Sequence, residues 1–248
     1  MKAILKAFAK TDIGKVRQNN QDFYYMCNPE ESIYGLYIVA DGMGGYNGGD
    51  IASSLATDAA RKYIENNFYK VKHDKESLKN LITDAVEHAN KLVYERSKEN
   101  EQLEGMGTTL EVCLIYNNRA YIGHVGDSRI YRIRNNIIRK LTTDHSYVER
   151  LVKAGNITKE EAAKHPKKNM LTKALGCTNL VEPDVTVKGF LKDDVIVMTT
   201  DGLTNMVKDE EIYYEVRKNP QNAANELVEK ANLNGGYDNI TTLIIINN

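Results

Sequence analysis

The chain has 248 residues, and its 33 lysine and arginine residues are balanced by 34 aspartate and glutamate residues, which gives a formal net charge of -1. This balance gives no reason to expect a nucleic acid or an anionic membrane surface as the main partner. Only three scattered cysteines occur, so a disulfide framework is not expected and a reducing compartment fits better. Without a recognisable signal region, bilayer-spanning stretch or linker, the sequence predicts one cytoplasmic domain over residues 2–247, with no membrane insertion.

Strands and two long helices are predicted for the first hundred residues. Apolar alternation between turn residues predicts strands at 3–9, 23–27 and 36–40. Two amphipathic helices follow, because apolar residues recur at helical spacing. The first helix carries Ile51, Leu55, Ala59 and Tyr63 on its apolar face, and the second carries Leu78, Leu81, Ile82, Ala85, Val86, Leu92 and Val93. Both faces are typical of packing against a core.

An antiparallel meander is predicted next. Its two hairpins turn at Asn117-Asn118 and Asn135-Asn136, because asparagine tolerates the positive φ that a two-residue turn requires. The flanking strands are predicted at 111–116, 119–125, 128–134 and 137–141. Consecutive hairpins argue against a doubly wound parallel sheet, whose strands need long crossovers.

Residues 145–176 interrupt the strand pattern and predict a small helical insert. Ser146 with Glu149, and Thr158 with Glu161, have the spacing of capping boxes before short helices. The insert lies between strands that end in candidate metal ligands, so we expect it to sit near the site as a flap.

The last part of the chain predicts strands at 184–190, 195–200 and 240–246, with a helix from near Asn219-Pro220 to Gly235-Gly236. Strands and long helices occur in separate runs instead of alternating. Together the elements predict an α+β fold, an α/β sandwich in which two central antiparallel sheets are flanked by helices on both outer faces.

Four aspartates stand where apolar strands meet glycine or asparagine: Asp41, Asp127, Asp201 and Asp238. Strands of one core tend to bring their ends together, so we expect these carboxylates to converge. Two carboxylates ~4 Å apart repel by about 4 kcal/mol near a protein surface, and a cluster of them therefore needs a cation. Oxygen-only clusters suit Mg²⁺ or Mn²⁺. The sequence predicts a carboxylate metal centre.

The segment from Thr11 to Asp22 adds an arginine, Arg17, and a fifth acid, Asp22 itself. Arginine binds a phosphoryl group through two parallel hydrogen bonds, which makes Arg17 a natural partner for phosphate. Taken alone, an arginine in a loop is a weak signal, because most are simply solvated. Beside a metal centre, it indicates phosphate-ester chemistry.

Six motifs occur in a fixed order along the chain. They are Val16-Arg17-x-x-Asn20-Gln21-Asp22, Ala40-Asp41-Gly42-Met43-Gly44-Gly45, Gly105-Met106-Gly107-Thr108-Thr109, His124-Val125-Gly126-Asp127-Ser128-Arg129, Thr200-Asp201-Gly202-Leu203 and Gly236-Tyr237-Asp238-Asn239-Ile240-Thr241. With these motifs, the chain resembles the bacterial metal-dependent type 2C (PPM) serine/threonine protein phosphatases over residues 11–246. The insert resembles theirs as well, at Asp144-His145-Ser146.

The resemblance implies hydrolysis of phosphoserine and phosphothreonine in proteins by two Mn²⁺ or Mg²⁺ ions and a hydroxide that bridges them, with no covalent intermediate. Asp41 would bridge the two ions, and the carbonyl of Gly42 would bind one of them. Asp201 and Asp238 would complete the coordination of the first ion. Asp22 would serve the second ion, partly through water.

Bacterial members of this family often bind a third ion, for which the resemblance implies Asp127 together with Asp201. Arg17 would hold the substrate phosphate. The resemblance also implies a monomer whose partners are phosphorylated proteins and a cognate serine/threonine kinase.

Two positions depart from the wider family. Many relatives have glutamate where this chain has Gln21, and that glutamate helps to bind the second ion. Because glutamine carries no charge, this metal-binding role is assigned here to the neighbouring Asp22. Eukaryotic relatives have a histidine, proposed as a general acid, at the position of Met43. Methionine cannot donate a proton, so we expect a water molecule to protonate the leaving group.

Three other functions stay open. An inactive relative would bind phosphopeptides as a regulator, although the retained Asp41, Asp201 and Asp238 argue against it. A metal-dependent phosphodiesterase would use similar chemistry on nucleotides. A dehydrogenase is suggested by the glycines between Gly42 and Gly49, but Asp41 would face a pyrophosphate with the wrong charge, and the required second parallel strand is not predicted.

Two further motifs are interpreted as structural. Cys113 and Arg119 have the spacing of a cysteine-based phosphatase loop, but the residues between them predict a strand and a turn instead of an anion nest. Cys113 is therefore expected in the core. Ser128 lacks the Gly-x-Ser-x-Gly elbow of a serine hydrolase, so a structural role is expected for it.

Overall fold

The computed structural model describes residues 5–27, 32–99 and 101–248. Its strands are β1 (Leu5–Asp12), β2 (Asp22–Met26), β3 (Gly35–Met43), β4 (Gly107–Thr108), β5 (Leu110–Tyr116), β6 (Arg119–Val125), β7 (Arg129–Arg134), β8 (Ile137–Lys140), β9 (Asp184–Gly189), β10 (Val195–Thr199) and β11 (Ile240–Asn247). Its α-helices are α1 (Gly45–Asn67), α2 (Lys75–Glu99), α3 (Tyr147–Lys153), α4 (Lys159–Lys164), α5 (Asp201–Thr204), α6 (Asp209–Lys218) and α7 (Ala223–Leu233). In the described part of the chain, none of the helices combines the length and apolarity that crossing a membrane requires.

Two antiparallel sheets form the centre of the molecule. The first has the strand order β1-β11-β10-β7-β8, and the second has the order β2-β3-β5-β6-β9, with β4 paired to the end of β3. Helices α1 and α2 pack against the second sheet, and α6 and α7 pack against the first. One apolar core fills the space between the sheets and beneath α1 and α2, and another lies between the first sheet and the C-terminal helices. The layers are helix, sheet, sheet and helix, which confirms the predicted sandwich.

The two asparagine turns form as predicted, but their hairpins belong to different sheets. Asn117, Asn118, Asn135 and Asn136 all have φ between 47° and 62°. The β5–β6 hairpin lies in the second sheet and the β7–β8 hairpin lies in the first, so the single meander that we expected is wrong. Between them the chain crosses from one sheet to the other. Turn signals are local, and they do not indicate which sheet a hairpin joins.

The buried face of α1 is displaced by one residue from the predicted stripe. Ala52, Ala56, Ala60 and Ile64 are fully buried. Of the predicted residues, Ala59 is buried, whereas the three large ones, at 51, 55 and 63, are only partly buried beside the core. The helix packs closely on the second sheet, and small side chains allow that approach. The largest apolar residues therefore mark the flank of this face and not its centre.

A helix that the sequence analysis did not predict, α6, precedes the C-terminal helix. It ends at Lys218, and the next residue, Asn219, is extended (φ −156°, ψ 90°), as the residue before a proline normally is. The helix predicted to start near Asn219-Pro220 is present as α7, and it begins at Ala223. Only Ile212 and Val216 mark the buried face of α6 among charged residues, which explains why its pattern is weak.

The insert contains the two short helices that its capping residues predict. The hydroxyl of Ser146 accepts a hydrogen bond from the amide of Glu149 at the start of α3. Thr158 and Glu161 form both bonds of a capping box at the start of α4. The predicted helical insert is therefore present. The single domain over 2–247 stays a prediction, and the first two residues of the predicted strand at 3–9 lie outside the described residues.

Candidate metal centre

The five predicted carboxylates come together at one end of the two sheets. Asp41 lies in β3, directly opposite Asp22 of the neighbouring strand β2. Asp201 follows β10 as the first residue of α5, and Asp238 precedes β11. Asp127 lies in the segment that crosses from β6 to β7. Both sheets therefore contribute acids to the same region.

A cleft of about 570 Å³ opens at this end of the sheets. Its lining includes most of the predicted site residues, namely Arg17, Asp41, Gly42, Asp127, Asp201 and Asp238, together with Gln21, Met43 and Thr109. Asp22 is the exception, since it does not line the cleft and is only 7% exposed. The structure thus brings the predicted residues together, while their roles as ligands stay predictions.

Two threonines fix the backbone of Asp41. The Asp41 amide donates to the hydroxyl of Thr109 over 2.9 Å. In return, the hydroxyl of Thr108 and the amide of Thr109 both donate to the Asp41 carbonyl, each over 2.9 Å. The hydroxyl of Thr109 also lies 2.8 Å from that of Ser128, which links Asp41 to the segment that carries Asp127. Both threonines belong to the motif Gly105-Met106-Gly107-Thr108-Thr109, but the motif alone does not indicate these contacts.

Gly42 is required by a close approach of the backbone. A Cβ atom at this position would lie 2.0 Å from the carbonyl oxygen of Gly49 and 2.6 Å from that of Gln21. The Gly42 amide donates to the same Gln21 carbonyl over 3.1 Å. Any larger residue would displace this turn, so the glycine fixes where its own carbonyl lies at the edge of the cleft.

Asp22 has one satisfied and one unsatisfied oxygen. Its Oδ2 accepts a hydrogen bond of 2.8 Å from the hydroxyl of Thr200. Its Oδ1 is buried and has no hydrogen-bond partner among the described residues. Burial raises the pKa of Asp22 to about 7, although the hydrogen bond from Thr200 opposes the shift. An unpaired buried carboxylate oxygen beneath Asp41 fits a position that is completed by a water molecule or a cation.

Partial burial and mutual repulsion raise the pKa of three half-buried carboxylates that line the cleft. The pKa of Asp127 is raised to about 8, first by burial and then by the charge of Asp201. The pKa of Asp41 lies well above its ordinary value because burial is reinforced by the charges of Asp22 and Asp201. The pKa of Asp201 is raised by burial and then by Asp238. Groups that favour the protonated form this strongly lack a counter-charge, which a divalent cation would supply.

Arg17 reaches the same group of acids. Its Nη2 donates to Oδ2 of Asp238 over 2.8 Å, and both side chains are partly exposed. This hydrogen bond is the largest cause of the raised pKa of Arg17, to which the charges of Asp41 and Asp201 also contribute. The guanidinium is therefore held beside the carboxylates at the surface of the cleft.

Among the described residues, no three aspartate, glutamate, histidine or cysteine side chains are arranged so that they could hold one metal ion. Asp22, Asp201 and Asp238 accept hydrogen bonds from protein donors instead; for example, Nδ2 of Asn205 donates to Oδ2 of Asp201 over 3.0 Å. A cation would compete with these bonds. The available donors are carboxylate and carbonyl oxygens, which hard ions such as Mn²⁺ and Mg²⁺ prefer. The residues fit divalent ions of this kind.

Asn239 holds the arginine-bearing loop against the start of β11. Its Oδ1 accepts from the amide of Gln21 over 2.8 Å. Its Nδ2 donates to the carbonyls of Ile13 (3.0 Å) and Asn19 (2.9 Å). The Asn239 side chain thus ties both sides of the Arg17 loop to the start of β11, next to Asp238. In the sequence, the one indication of this role is that Asn239 directly follows a candidate ligand.

The residues interpreted as structural have structural contacts. Cys113 is fully buried in β5, and burial raises the pKa of its thiol. A buried thiol of raised pKa is a poor nucleophile. The hydroxyl of Ser128 is buried against Thr109.

Comparison with known sequences identifies the family. A protein phosphatase 2C family model matches residues 14–234. Over 238 residues the chain is 35% identical to the serine/threonine phosphatase stp of Listeria monocytogenes, which covers 95% of this chain and 93% of the relative. It is 38% identical over 240 residues to the protein phosphatase PhpP of Streptococcus pneumoniae, which covers 95% of this chain and 94% of the relative. The chain belongs to the protein phosphatase 2C family, which confirms the resemblance seen in its motifs.

Solved structures agree with this assignment. The serine/threonine phosphatase of S. agalactiae has a TM-score of 0.90 at 37% identity, covering 99% of this chain and 100% of that chain. The catalytic domain of the serine/threonine protein phosphatase PstP, in complex with two manganese ions, has a TM-score of 0.85 at 32% identity and covers 98% of each chain. The predicted fold class is confirmed.

Proposed function

We propose that this member of the 2C family hydrolyses phosphoserine and phosphothreonine in proteins with the help of divalent cations. The observation that carries the proposal is the cleft, in which four aspartates and the guanidinium of Arg17 face one space. The carboxylates repel phosphate unless cations lie between them, whereas Arg17 attracts it. The cleft therefore suits a phosphate ester that binds together with metal ions, and the family of the chain supports the same reaction.

The proposed ligands are those that the motifs indicate. Asp41 would bridge two ions, with the Gly42 carbonyl on one of them, and Asp201 and Asp238 would complete the first. Asp22 would serve the second ion through water, because its carboxylate lies below the lining of the cleft. The unpartnered oxygen of Asp22 supports this role.

A third ion is proposed at Asp127 together with Asp201, whose charge already acts on Asp127. The proposed ions are Mn²⁺ or Mg²⁺, because the donors are oxygens and because the related PstP structure contains manganese. When bound, they would neutralise charge on the phosphoryl group and lower the pKa of a water molecule.

Arg17 would orient the phosphate group. A guanidinium has five N–H donors, and within the described part of the chain Arg17 engages Nη2 alone, with Asp238. Arg17 can therefore keep this contact and donate its remaining N–H groups to phosphate oxygens. Asn239 fixes the loop on both sides of Arg17, so the guanidinium is positioned before the substrate arrives.

Phosphate release from a phosphothreonine peptide by chelator-treated protein, titrated with Mn²⁺ and then with Mg²⁺, tests the proposal. We expect activity to appear with metal and to disappear with chelator. Asp41→Asn should abolish turnover and weaken Mn²⁺ binding measured by calorimetry, whereas Asp84→Asn, at an exposed position of α2, should change neither.

The same assay separates the alternatives. A regulator without activity would bind Mn²⁺ and the phosphopeptide but release no phosphate. A phosphodiesterase would hydrolyse cyclic nucleotides in preference to the peptide. Either result would overturn the proposed reaction while leaving the family assignment intact.

We also propose a single-domain, monomeric enzyme of the cytoplasm that reverses the action of a serine/threonine kinase. The support for a reducing compartment is that Cys27, Cys113 and Cys177 are all free thiols. The near-zero net charge fits protein substrates better than nucleic acid. Light scattering tests the monomer, and a particle of twice the chain mass would contradict it.

A further inference from the structure

Three arginines of the β7–β8 hairpin meet in one pocket. Arg132, Arg134 and Arg139 line a cavity of about 220 Å³ together with Asn135 and Ile137. Arg132 and Arg139 are direct cross-strand partners, so their side chains share one face of the sheet. Arg134 lies two positions further along β7 on that same face. We call these three side chains the arginine pocket.

The positive charge of the arginine pocket is only partly compensated. Arg134 binds Asp194, with 2.7 Å between Nε and Oδ1. Nη1 of Arg132 donates to a neutral acceptor, the carbonyl of Gly189 at the end of β9, over 2.8 Å. Across the described residues, neither Arg132 nor Arg139 has a carboxylate within ion-pair distance. Like charges directly opposite each other destabilise a hairpin, so this arrangement has a cost that an anion would offset.

Arg132 also has an unused donor. Its Nε is buried and has no hydrogen-bond partner among the described residues. Burial lowers the pKa of Arg132 and the charges of Arg134 and Arg139 lower it further, although the charge of Asp194 opposes the shift. Buried donors are normally paired, and the unpaired N–H of Arg132 indicates an acceptor that the protein itself does not supply.

We propose that the arginine pocket binds a phosphate group. The two guanidinium groups without a carboxylate partner match the charge of about −1.5 to −2 that a phosphate monoester carries at neutral pH. A carboxylate ligand carries a single charge and would leave one arginine uncompensated. Phosphate oxygens accept the paired hydrogen bonds of a guanidinium fork, which suits both Arg132 and Arg139. The cavity has room for the group and some water, since one water molecule takes roughly 30 Å³.

This pocket lies away from the carboxylate cleft. Among the described residues, the pocket and the cleft share no lining residue, and no acid of the cleft lines the pocket. A phosphate group bound there is therefore held and not hydrolysed. Given the proposed function, on which this step rests, the group has two sources: a second phosphorylated side chain of a protein substrate, or the inorganic phosphate that the reaction releases.

Amide chemical shifts of the metal-free protein, measured by NMR in chelator, test the proposal. The protein is titrated with inorganic phosphate, with a phosphothreonine peptide, with the same peptide unphosphorylated, and with sodium chloride at matched ionic strength. We expect saturable shifts at β7 and β8 with a phosphate-bearing probe and none with the other two. Arg139→Gln should weaken this binding roughly tenfold, because one charged donor group is lost. Arg217→Gln, which removes an exposed arginine of α6, should leave it unchanged.

The arms of the titration identify the source. Saturation by the phosphopeptide supports a substrate side chain as the ligand, and saturation by inorganic phosphate alone supports the product. The proposal would be overturned if no hairpin shifts occurred, or if sodium chloride produced the same shifts. It would also be overturned if Arg139→Gln left the binding unchanged. Because binding is measured without metal, a protein that fails to release phosphate in the activity assay can still pass this test, so the two failures are distinguishable.

Discussion

Gly126 and His145 form two hydrogen bonds with each other at the start of the flap, the insert of residues 145–176. The amide of His145 donates to the carbonyl of Gly126 over 2.7 Å, and the amide of Gly126 donates to Nδ1 of His145 over 3.1 Å. Gly126 directly precedes Asp127, so this pair connects the first residues of the flap to the segment that carries a proposed ligand. The ring of His145 also stacks on that of His124, with 4.5 Å between the ring centroids.

Replacing His145 by alanine is expected to lower the free energy of unfolding by about 1–3 kcal/mol, because the buried amide of Gly126 loses its acceptor. Urea unfolding measures this change. His88→Ala, at an exposed position of α2, serves as the control and should stay within about 0.5 kcal/mol of wild type. Equal stability of His145→Ala and wild type would show that the ring does not hold the segment before Asp127.

The same ring predicts a pH dependence of stability. The pKa of His145 is lowered to about 4, first by burial and then by the charges of His124 and Lys173, although Asp184 opposes the shift. A histidine of the unfolded chain titrates near pH 6.5, so it takes up a proton before the folded one does. The contribution of His145 is therefore complete above about pH 6.5 and is lost as the pH falls toward 4. The difference in unfolding free energy between wild type and His145→Ala should shrink over this range, and a constant difference would contradict the prediction.

The site could be predicted where residues obey local rules. Asp41 and Asp201 follow apolar strands and precede glycines, a pattern that is visible in the sequence. The contacts that hold the site follow no such rule. Thr109 bonds to Asp41 across 68 positions, and Asn239 bonds to Gln21 across 218. Pairings this distant depend on the tertiary fold, as does the assignment of the two hairpins to different sheets, so neither was predicted.

Gly202 sets the distance between two proposed ligands. A Cβ atom at this position would lie 2.0 Å from the carbonyl oxygen of Asn239, the residue after Asp238. Gly202→Ala is expected to destabilise the protein by about 1–3 kcal/mol and to weaken Mn²⁺ binding, because Asp201 must move away from Asp238. Urea unfolding and calorimetry measure the two effects.

The matched control for this substitution is Gly189→Ala. Among the described residues, a Cβ atom at position 189 would meet only Nη2 of Arg134, at 3.6 Å, which is an ordinary contact. We expect little change in either measurement. If Gly202→Ala bound Mn²⁺ as tightly as wild type, the spacing between Asp201 and Asp238 would not determine ion binding.

Divalent ions are expected to stabilise the folded protein, because only the folded cleft brings the carboxylates together. At an Mn²⁺ concentration of 100 times the Kd, the gain in unfolding free energy is about 2.7 kcal/mol. Asp41→Asn should remove most of this gain. In chelator the same variant should be more stable than wild type, because it removes a half-buried charge that Asp22 and Asp201 repel. Urea unfolding with Mn²⁺ and with chelator measures both effects.

Asp84→Asn is the control for these two opposite changes, since it removes an exposed charge from α2 and should alter neither curve. The change in stability in chelator and the change in the response to Mn²⁺ together distinguish a metal ligand from a residue that only supports the fold. A structural aspartate would lose stability in chelator when replaced, whereas a ligand in a repulsive cluster gains stability in chelator and loses the response to Mn²⁺. If Asp41→Asn responded to Mn²⁺ as wild type does, Asp41 would not be the bridging ligand.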